Sequence, residues 1–471
     1  MWLQLWGEGK RIVSTYSAIV CRISVRPHPK ADRLQLGTAY GNQVVIDLDV
    51  KDGELGIFFP CDGELSEEFC RLNDLFPRFD DQNRRIGGGF FDPRNRRVRA
   101  QSFRGEKSDG FWCPLSYLRS MFFDEVVNNL KDGDQFTCID GREICRKYET
   151  EKTIQAAARA QKQGTPKKNS FFKEHVDTKQ FSYESKKIPV GSVVHLSEKL
   201  HGTSARYGFF EESVSLTGWR KWLYAFCNLF AGFVGLPVST VERNLLVGSR
   251  RVQLKSVTSE TSFYGDEGFR FAVTKKLNGN MRPGEMIYGE LVGYQKGESP
   301  IMGTVSTAGL QDKEFKKIYG DSITYKYGCT VGTSRFFVYR ITKTDQDGHV
   351  VELSVEQVKA RCKVLGLDYV PEFSGPLVVM PGSDRLEAMG ITFPLVTGGE
   401  AGHLQSLEKM VEGLMKGPST LDTSHIREGV VIRIDNPDGS TTFLKAKSHE
   451  FKVLEGLIKD QEGYVDAEEA S

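Results

Sequence analysis

A polar segment at residues 147–170 divides the chain into two parts of unequal length. Residues 151–163 are rich in helix-forming alanine, and glycine, proline and lysine residues then interrupt the pattern. A chain of 471 residues is long enough for two or three domains, each with a core of its own. We therefore predict a first domain at residues 1–146, a linker at 147–170 and a second domain at 171–471.

Composition and cysteine usage are typical of a soluble intracellular protein. Charged residues make up 27% of the sequence and apolar residues 39%, as in ordinary globular proteins. Nine cysteines are scattered without a Cys-x-x-Cys pair, which favours a reducing compartment, cytoplasm or nucleoplasm, over a disulfide framework or a structural zinc site. The net charge is +1, so any surface for nucleic acid must be local.

The most apolar window, residues 222–238, is not predicted to cross a membrane. It is shorter than the roughly 20 residues of a spanning helix, and asparagine, glycine and proline residues interrupt it. We predict a buried or capping helix, with an interfacial or partner-binding helix as the alternative. Residues 1–10 lack the apolar core of a secretory signal, and we expect no membrane partner.

A basic, aromatic-rich segment lies at residues 84–107. It holds eight arginine or lysine residues against two acidic ones, Phe90, Phe91 and Phe103 are interleaved with them, and Trp112 follows. This composition suits single-stranded nucleic acid, because cations attract phosphates and exposed rings stack on bases. A solvated loop is the alternative for the charges, and the core of a β-barrel is the alternative for the rings.

Residues 27–34 lie between two segments, 16–26 and 44–50, whose partial alternation of apolar and polar residues predicts half-buried strands. Their sequence resembles the His-Pro-x-Ala-Asp-x-Leu signature of tRNA-binding OB-fold domains. A proline-rich turn between two strands is the plainer interpretation, and both can hold at once.

Lys199 ends a short apolar stretch that reads as a strand, and Gly202 follows three residues later. A lysine attacks a phosphate only when it is partly deprotonated, and burial or neighbouring cations lower its pKa. A glycine nearby lets the backbone approach a ligand closely. Taken alone, this pattern is weak evidence and favours an ordinary solvated lysine near a turn.

Four later strand-like stretches carry further candidate residues, each with an ordinary alternative. Glu290 could be an edge-strand charge. Phe337 and Tyr339 could be core residues that share a face, and Lys445 and Lys447 could lie on a solvated face of their strand. The stretches are residues 286–294 with Glu290, 335–341 with Phe337 and Tyr339, 427–433 with Glu428, and 443–448 with Lys445 and Lys447.

In order and type, these stretches resemble the motifs of the covalent nucleotidyltransferase superfamily, and the chain most resembles its ATP-dependent RNA ligases. Residues 198–203 look like the Glu-Lys-x-His-Gly-Thr form of one branch of phage-type RNA ligases, with His201 where DNA ligases and capping enzymes usually have Asp. Residues 97–110 resemble the N-terminal OB module of the Deinococcus and Naegleria RNA ligases. Only 24 residues follow Lys447, too few for the C-terminal OB domain of DNA ligases and capping enzymes.

The resemblance implies an α+β fold, with an N-terminal OB-fold β-barrel followed by an adenylyltransferase domain of antiparallel sheets. It leaves aside insertions around residues 222–238 and 345–423, the latter expected to be a mixed helical insertion.

The resemblance also implies residue roles. Lys199 would attack the α-phosphorus of ATP and hold AMP. The implied nucleotide contacts are Glu198, His201, Gly202, Arg250, Glu290, Tyr339, Glu428, Lys445 and Lys447. Glu428 and Glu290 would hold Mg²⁺ or Mn²⁺, and Arg97, Arg99 and Arg104 would contact nucleic acid. Arg340 departs from the family, which usually has Asp there, and Tyr339 replaces the commoner Phe while keeping an aromatic ring.

The expected function is ATP-dependent joining of 3′-OH and 5′-phosphate ends in RNA repair, on RNA or an RNA-containing duplex with a nick, by a monomer. A GTP-dependent mRNA capping guanylyltransferase is the first alternative. The second is a non-catalytic RNA-binding protein with a degenerate ligase domain. We also expect the two halves to be separable, with the ATP chemistry confined to residues 171–471.

Overall fold

The computed structural model describes residues 16–151, 153–154, 169–213, 222–223, 226–227, 241–258, 264–310, 312–379, 395–396 and 400–459. We call residues 16–151 the N-terminal part and residues 169–459 the C-terminal part. Most of the predicted linker lies outside the described residues, and so does most of the apolar window at 222–238. Within that window Trp222 and Phe226 are helical and exposed.

The N-terminal part consists mainly of short strands. The strands are β1 Ala18–Arg22, β2 Ser24–Pro27, β3 Leu34–Ala39, β4 Asn42–Asp47, β5 Leu55–Pro60, β6 Gly63–Leu65, β7 Pro77–Phe79, β8 Arg85–Gly88, β9 Ala100–Phe103, β10 Glu106–Pro114, β11 Gln135–Phe136, β12 Cys138–Ile139, β13 Arg142–Glu143 and β14 Cys145–Lys147. The helices are α1 Glu67–Leu72 and α2 Asp124–Asn128, with a 3₁₀ turn at Leu115–Ser120.

Longer strands and helices form the C-terminal part. The strands are β15 Lys179–Gln180, β16 Val193–Lys199, β17 Thr203–Ser213, β18 Val241–Gly248, β19 Gln253–Leu254, β20 Glu285–Gly293, β21 Val305–Ser306, β22 Ser322–Ile323, β23 Ser334–Thr344, β24 Val350–Glu352, β25 Asp368–Tyr369, β26 Leu377–Val379, β27 Leu395–Val396, β28 Gly429–Asp435 and β29 Thr441–Lys447. The helices are α3 Phe181–Glu184, α4 Gly268–Phe271, α5 Thr274–Leu277, α6 Lys313–Tyr319, α7 Val355–Leu365, α8 Glu400–Met415 and α9 His449–Lys459, with a 3₁₀ turn at Ser185–Lys187.

The five-stranded sheet of the N-terminal part runs β11–β1–β5–β10–β9, and β2–β3–β4 form a separate meander. The pairings among the described strands do not close a barrel, so the predicted OB barrel is not confirmed. Phe91 and Trp112 are buried, which fits the interpretation of these rings as core residues, whereas Phe90 is exposed. Residues 28–33 connect β2 to β3, as the interpretation as a turn predicted.

Two large sheets organise the C-terminal part. The first runs β15–β29–β28–β16–β26–β27, and the second runs β19–β18–β17–β20–β23–β24 with β25 paired to β23. Their pairs are antiparallel except for the short ones β15/β29, β26/β27 and β23/β25. Apolar residues of the first sheet pack against α8, and those of the second pack against α7. Each fully buried aliphatic side chain of these cores contributes about 1.5–3 kcal/mol.

A third apolar cluster lies where β16 leads into β17. Leu200, Val292 and Phe337 pack there with Phe451 and Leu454 of α9. This cluster packs the seven-stranded sheet and the last helix against the turn that follows Lys199, and it positions the residues around Lys199.

All nine cysteines are free thiols, in keeping with the scattered cysteine pattern. Among the described residues, the helices are too short or too polar to cross a membrane.

Candidate active site

Three lysines share one face of the six-stranded sheet. Lys199 ends β16 opposite Gly429 of β28, and Gly429 in turn lies opposite Lys447 at the end of β29. Lys445 lies two residues before Lys447 and therefore points to the same side. The residues that alternate with these lysines in β29 are buried in the core. The sheet register thus brings together three cations that are distant in sequence.

Gly429 allows β28 and β29 to lie close together at this point. A Cβ atom on Gly429 would lie 1.9 Å from the Ala446 carbonyl oxygen and 2.9 Å from Lys447 Cα. Any side chain here would push β29 away from β28. The glycine is therefore needed for the spacing between Lys199 and Lys447.

Glu428 joins two of the three lysines. Its Oε1 atom lies 2.8 Å from Lys199 Nζ and 3.1 Å from Lys447 Nζ. The Glu428 side chain is 3% exposed, whereas that of Lys199 is 25% exposed. Burial opposes ionisation of Glu428, but the two lysines outweigh it and hold the pKa of this carboxyl well below its usual range. The carboxylate is therefore charged at neutral pH and fixes Lys199 beside Lys447, while Lys199 remains accessible to a ligand.

Lys447 and Lys445 differ in environment although two residues separate them. Lys447 Nζ also lies 2.9 Å from Oε2 of Glu455 in helix α9. Burial lowers the pKa of Lys447, but Glu455 and Glu428 outweigh it and raise the pKa well above its usual value. Burial and several neighbouring cations lower the pKa of Lys445 to about 8. Lys447 is thus a permanent cation, and Lys445 titrates just above neutral pH.

The turn after β16 is tightly packed. His201 Nδ1 lies 3.6 Å from Glu428 Oε2, and the His201 backbone N–H donates to the Tyr327 hydroxyl at 2.6 Å. A Cβ atom on Gly202 would lie 2.2 Å from the Leu291 carbonyl oxygen. Close approach of the turn to β20 therefore accounts for this glycine, and a ligand contact is not needed to explain it.

Glu198 lies on the opposite face of the sheet from Lys199, because neighbouring residues of a strand alternate in direction. Its buried carboxylate accepts hydrogen bonds from the Thr420 N–H at 2.8 Å and from the Thr420 hydroxyl at 2.5 Å. This contact ties β16 to the loop before β28. Its role as a nucleotide contact stays a prediction.

Glu290 and Tyr339 lie in neighbouring strands of the seven-stranded sheet. Glu290 is half-buried within an otherwise buried strand, and the Ser204 hydroxyl donates to it at 3.4 Å. Tyr339 lies where the register between β20 and β23 shifts, and such bulges redirect side chains. The Tyr339 hydroxyl is hydrogen-bonded to the ring of His175.

The segment after the predicted linker contacts two of the predicted site residues. His175 reaches Tyr339, and Asp177 Oδ1 lies 2.6 Å from Arg250 Nη2. The His175 backbone N–H also donates to the Arg250 carbonyl at 3.5 Å. The segment therefore links Tyr339 to Arg250 on one side of the site.

The three predicted nucleic-acid contacts lie in different environments. The Arg97 side chain is 1% exposed, its Nη2 lies 2.9 Å from Asp62 Oδ1, and its Nη1 donates to the Gly456 carbonyl at 3.1 Å. A phosphate could reach Arg97 only after this ion pair is broken, and its contact with nucleic acid stays a prediction. Arg99 is half-buried, and Arg104 is exposed in the turn between β9 and β10.

That turn contacts the segment at residues 27–34. His28 Nε2 lies 3.2 Å from the Phe103 carbonyl oxygen. Lys30 lies beside the turn, since a Cβ atom on Gly105 would be 3.3 Å from Lys30 Nζ. Two segments that looked independent in the sequence are therefore neighbours on the N-terminal part.

A family model matches the portion of the chain that holds the three lysines. The model of the RNA ligase family matches residues 192–447, more than half of the 471 residues. The chain belongs to the RNA ligase family. No curated protein sequence matches the chain.

Solved structures of one RNA ligase share the fold. A lysine-to-alanine mutant of Naegleria gruberi RNA ligase with ATP and Mn aligns with a TM-score of 0.52 at 15% identity, over 92% of this chain and 98% of that one. A glutamate-to-alanine mutant of the same protein with AMP and Mn has a TM-score of 0.52 at 16% identity, over 92% and 97%. At these identities the likeness establishes the fold, which mixes helices and sheets and is mostly sheet.

Arg340, the departure noted from the RNA ligase pattern, is paired inside the protein. Its Nε lies 2.9 Å from both carboxylate oxygens of Glu352, and its guanidinium lies 4.7 Å from the centroid of the Tyr288 ring. The Arg340 charge is thus compensated by the Glu352 carboxylate of β24 and by the face of the Tyr288 ring. Arg340 has a structural role in this member of the family.

Among the residues that contact the site and were not predicted, His175 and Glu455 touch Tyr339 and Lys447. His175 follows the linker and belongs to no motif, so nothing in the sequence singled it out. Glu455 is eight residues beyond Lys447, two helical turns along α9. The sequence did offer one signal for Glu455, because it is an acidic residue in a helical segment that directly follows Lys445 and Lys447.

Proposed function

We propose that this RNA ligase joins 3′-OH and 5′-phosphate ends through a covalent lysyl-AMP intermediate formed from ATP. The observation that carries the proposal is the contact of one Glu428 oxygen with two lysines, 2.8 Å from Lys199 and 3.1 Å from Lys447. This arrangement places an accessible amine beside a fixed cation, which is what attack on a phosphate requires.

In the first step, Lys199 Nζ bonds to the α-phosphorus of ATP, the bond from that phosphorus to the bridging oxygen breaks, and pyrophosphate leaves. Lys199 reacts as the neutral amine, and its nitrogen gives up one proton to solvent or to the departing pyrophosphate as the bond to phosphorus forms. Because the pKa of Glu428 is well below its usual range, this carboxylate orients the lysine and is a poor acceptor for its proton. Lys445 and Lys447 stabilise the charge that develops on the phosphoryl oxygens.

The later steps transfer AMP to a 5′-phosphate and then let a 3′-OH attack that end, with release of AMP. By resemblance, Tyr339 stacks on adenine, Arg250 contacts ribose or the 3′-OH end, and Glu290 contacts ribose or the water shell of a metal. The hydrogen bond between His175 and Tyr339 supports this assignment because it holds the ring in one orientation.

Glu428 and Glu290 are the residues that would hold a divalent metal. Their carboxylates supply the oxygen donors that Mg²⁺ and Mn²⁺ prefer, and Glu290 is a half-buried carboxylate in an otherwise buried strand. A bound metal offsets phosphate charge. The Naegleria gruberi structures contain Mn together with ATP or AMP.

Two other functions use the same residues differently. A capping guanylyltransferase would take GTP in place of ATP. A non-catalytic RNA-binding protein would not need an accessible Lys199 held by Glu428 next to Lys447, and this arrangement argues against it.

The three candidate functions are distinguished by incubating the protein with α-labelled ATP or GTP and Mg²⁺ or Mn²⁺. A denaturing gel then shows whether label has been transferred to the protein. A ligase labels its own chain from ATP and seals a nick, a capping enzyme labels itself from GTP, and a binding protein remains unlabelled. Nicked duplexes varied strand by strand between RNA and DNA then identify the substrate. A nick with RNA on the 3′-OH side is the expected preference.

The N-terminal part supplies a surface for RNA, which we call the basic turn surface and define by Lys30, Phe90 and Arg104. Phe90 is 44% exposed and packs edge-on against Phe103, with ring centroids 5.7 Å apart. Two cations beside an exposed ring suit phosphate contact with base stacking. The same proposal gives this part an OB-type role and places the domain boundaries at 1–146, 147–170 and 171–471. It also includes a monomeric state and an intracellular location.

Replacing both Lys30 and Arg104 with alanine is expected to weaken nick binding and its salt dependence. The slope of log affinity against log salt should shrink by roughly 0.7–0.9 for each phosphate contact removed. The measurement is nick affinity at several salt concentrations, with Lys363→Ala, an exposed cation on α7, as control. An unchanged slope in the double variant would show that the basic turn surface is only solvated.

The pH dependence of adenylylation should report Lys445. Its pKa of about 8 means that it is charged below pH 8 and neutral above it. If its charge binds phosphate, kcat/KM for ATP should fall above that pKa by up to about tenfold per pH unit. Lys445→Arg should extend the plateau, because a guanidinium stays charged. If kcat/KM falls at the same alkaline pH in wild type and in Lys445→Arg, the fall is due to the titration of another group.

A further inference from the structure

Helix α9 begins directly at the active site and folds back onto it. Lys447 ends β29, and Ser448 then caps the helix, its hydroxyl accepting a hydrogen bond from the Phe451 N–H at 3.1 Å. Two turns later, both carboxylate oxygens of Glu455 lie next to Lys447 Nζ, at 2.9 and 3.0 Å. Phe451 lies under the same ammonium group, 5.2 Å from ring centroid to Nζ. The helix therefore restrains Lys447, which Glu428 also contacts.

The same helix is bound to the N-terminal part by charged groups. Asp109 of β10 is hydrogen-bonded to the ring of His449, and its Oδ2 lies 3.2 Å from Lys452 Nζ. The Asp109 and His449 side chains are 7% and 9% exposed. Farther along the helix, Arg97 donates to the Gly456 carbonyl at 3.1 Å. Asp109 and Arg97 thus hold opposite ends of α9 against the N-terminal part.

These contacts are costly to break because their charges are buried. Burial opposes ionisation of Asp109, but Lys452 and His449 outweigh it and keep its pKa well below the usual range. Removal of one member of a buried ion pair leaves the other uncompensated, which is far more unfavourable than loss of an exposed pair. The position of α9, and of Glu455 with it, is therefore coupled to the N-terminal part.

We propose that Glu455 is a positioning residue for Lys447 in adenylylation, and that the N-terminal part, through Asp109 and Arg97, holds the helix that carries it. The inference rests on the proposed function, since it assigns Lys447 a role at the phosphates. It replaces the expectation that ATP chemistry is confined to residues 171–471. The N-terminal part contributes to the ATP step as well as to RNA binding.

The test uses full-length Glu455→Gln, Asp109→Asn and the double variant, each compared with wild type. Glu450→Gln, which changes a carboxylate in the first turn of the same helix, is the matched control. Two quantities are measured in single turnover with labelled ATP: the rate constant for adduct formation and the final amount of adduct per chain. The rate constant reports the geometry of the site in folded molecules, whereas the final amount reports how many molecules are folded.

Glu455→Gln is expected to lower the rate constant about tenfold or more, as loss of a group that orients a functional residue commonly does. Asp109→Asn should also lower the rate constant. The fold-reduction in the double variant should be smaller than the product of the two single fold-reductions, because both residues act through α9. Glu450→Gln should match wild type.

A lower final amount with an unchanged rate constant would show a purely structural role and overturn the inference. A wild-type rate constant in Glu455→Gln would overturn it too, and full additivity would overturn the coupling to the N-terminal part. Absence of adduct in wild type would instead refute the proposed function itself.

Discussion

Lys199→Ala is expected to abolish the covalent AMP adduct. Lys199 is the accessible lysine held by Glu428, and alanine has no nitrogen with which to form the bond to phosphorus. The same variant should still seal a nick that already carries AMP on its 5′-phosphate, because that step does not use the nucleophile. The measurements are label transfer from ATP on a denaturing gel and sealing of a pre-adenylylated nick.

Lys187→Ala is the control for this experiment, since it removes an exposed lysine from the same C-terminal part of the chain. It should form adduct as wild type does. An adduct of undiminished yield in Lys199→Ala would mean that another lysine is the nucleophile. Failure of Lys199→Ala on the pre-adenylylated nick as well would indicate that Lys199 also serves the later steps.

Glu428→Ala is expected to reduce adenylylation by about 100-fold or more, the size of effect found when one preorganised charged or polar group is removed from an active site. The loss has two physical causes. Lys199 and Lys447 lose the oxygen that both contact, and the oxygen ligand that we propose for the metal is removed. The defect should therefore be largest at limiting metal. The measurement is the single-turnover rate constant across a titration of Mg²⁺ or Mn²⁺.

Lys447→Ala is the comparison variant, because it removes a contact to the same carboxylate and leaves the carboxylate in place. It should also slow adenylylation strongly, but with less dependence on metal concentration. If Glu428→Ala reacts at the wild-type rate at limiting metal, the proposed metal role of Glu428 is wrong. If both variants depend equally on metal, Glu428 acts only through the lysines.

Several elements followed from local sequence alone. Residues 345–423 were expected to be a mixed helical insertion, and helix α7 forms there because Ser354 and Gln357 form a capping box and Gly366 adopts the left-handed conformation that ends a helix. The shared face of Lys445 and Lys447 followed from the period of two in a strand, and their neighbours in β29 are buried. Such features depend on residues a few positions apart, which the sequence displays directly.

Residue type alone does not show whether a charged side chain lies on the surface or inside the protein. Arg97 belongs to a basic segment and was expected at an RNA surface, yet it is buried between Asp62 and Gly456. Composition cannot separate a surface arginine from one paired inside, because the partner comes from a distant part of the chain. Arg340 is also paired inside the protein, with Glu352 of the adjacent strand β24.

The sequence by itself determined the family, the identity of the reactive lysine as a prediction, and the strands that carry the site residues. Only the tertiary structure decided that Lys199 and Lys447 meet at one Glu428 oxygen, that Gly429 sets their spacing, and that Glu455 restrains Lys447 from a helix bound to the N-terminal part. The physical reason is that motif recognition needs only residue types in order. Contacts between charges instead depend on sheet register and on which buried partners compensate each other.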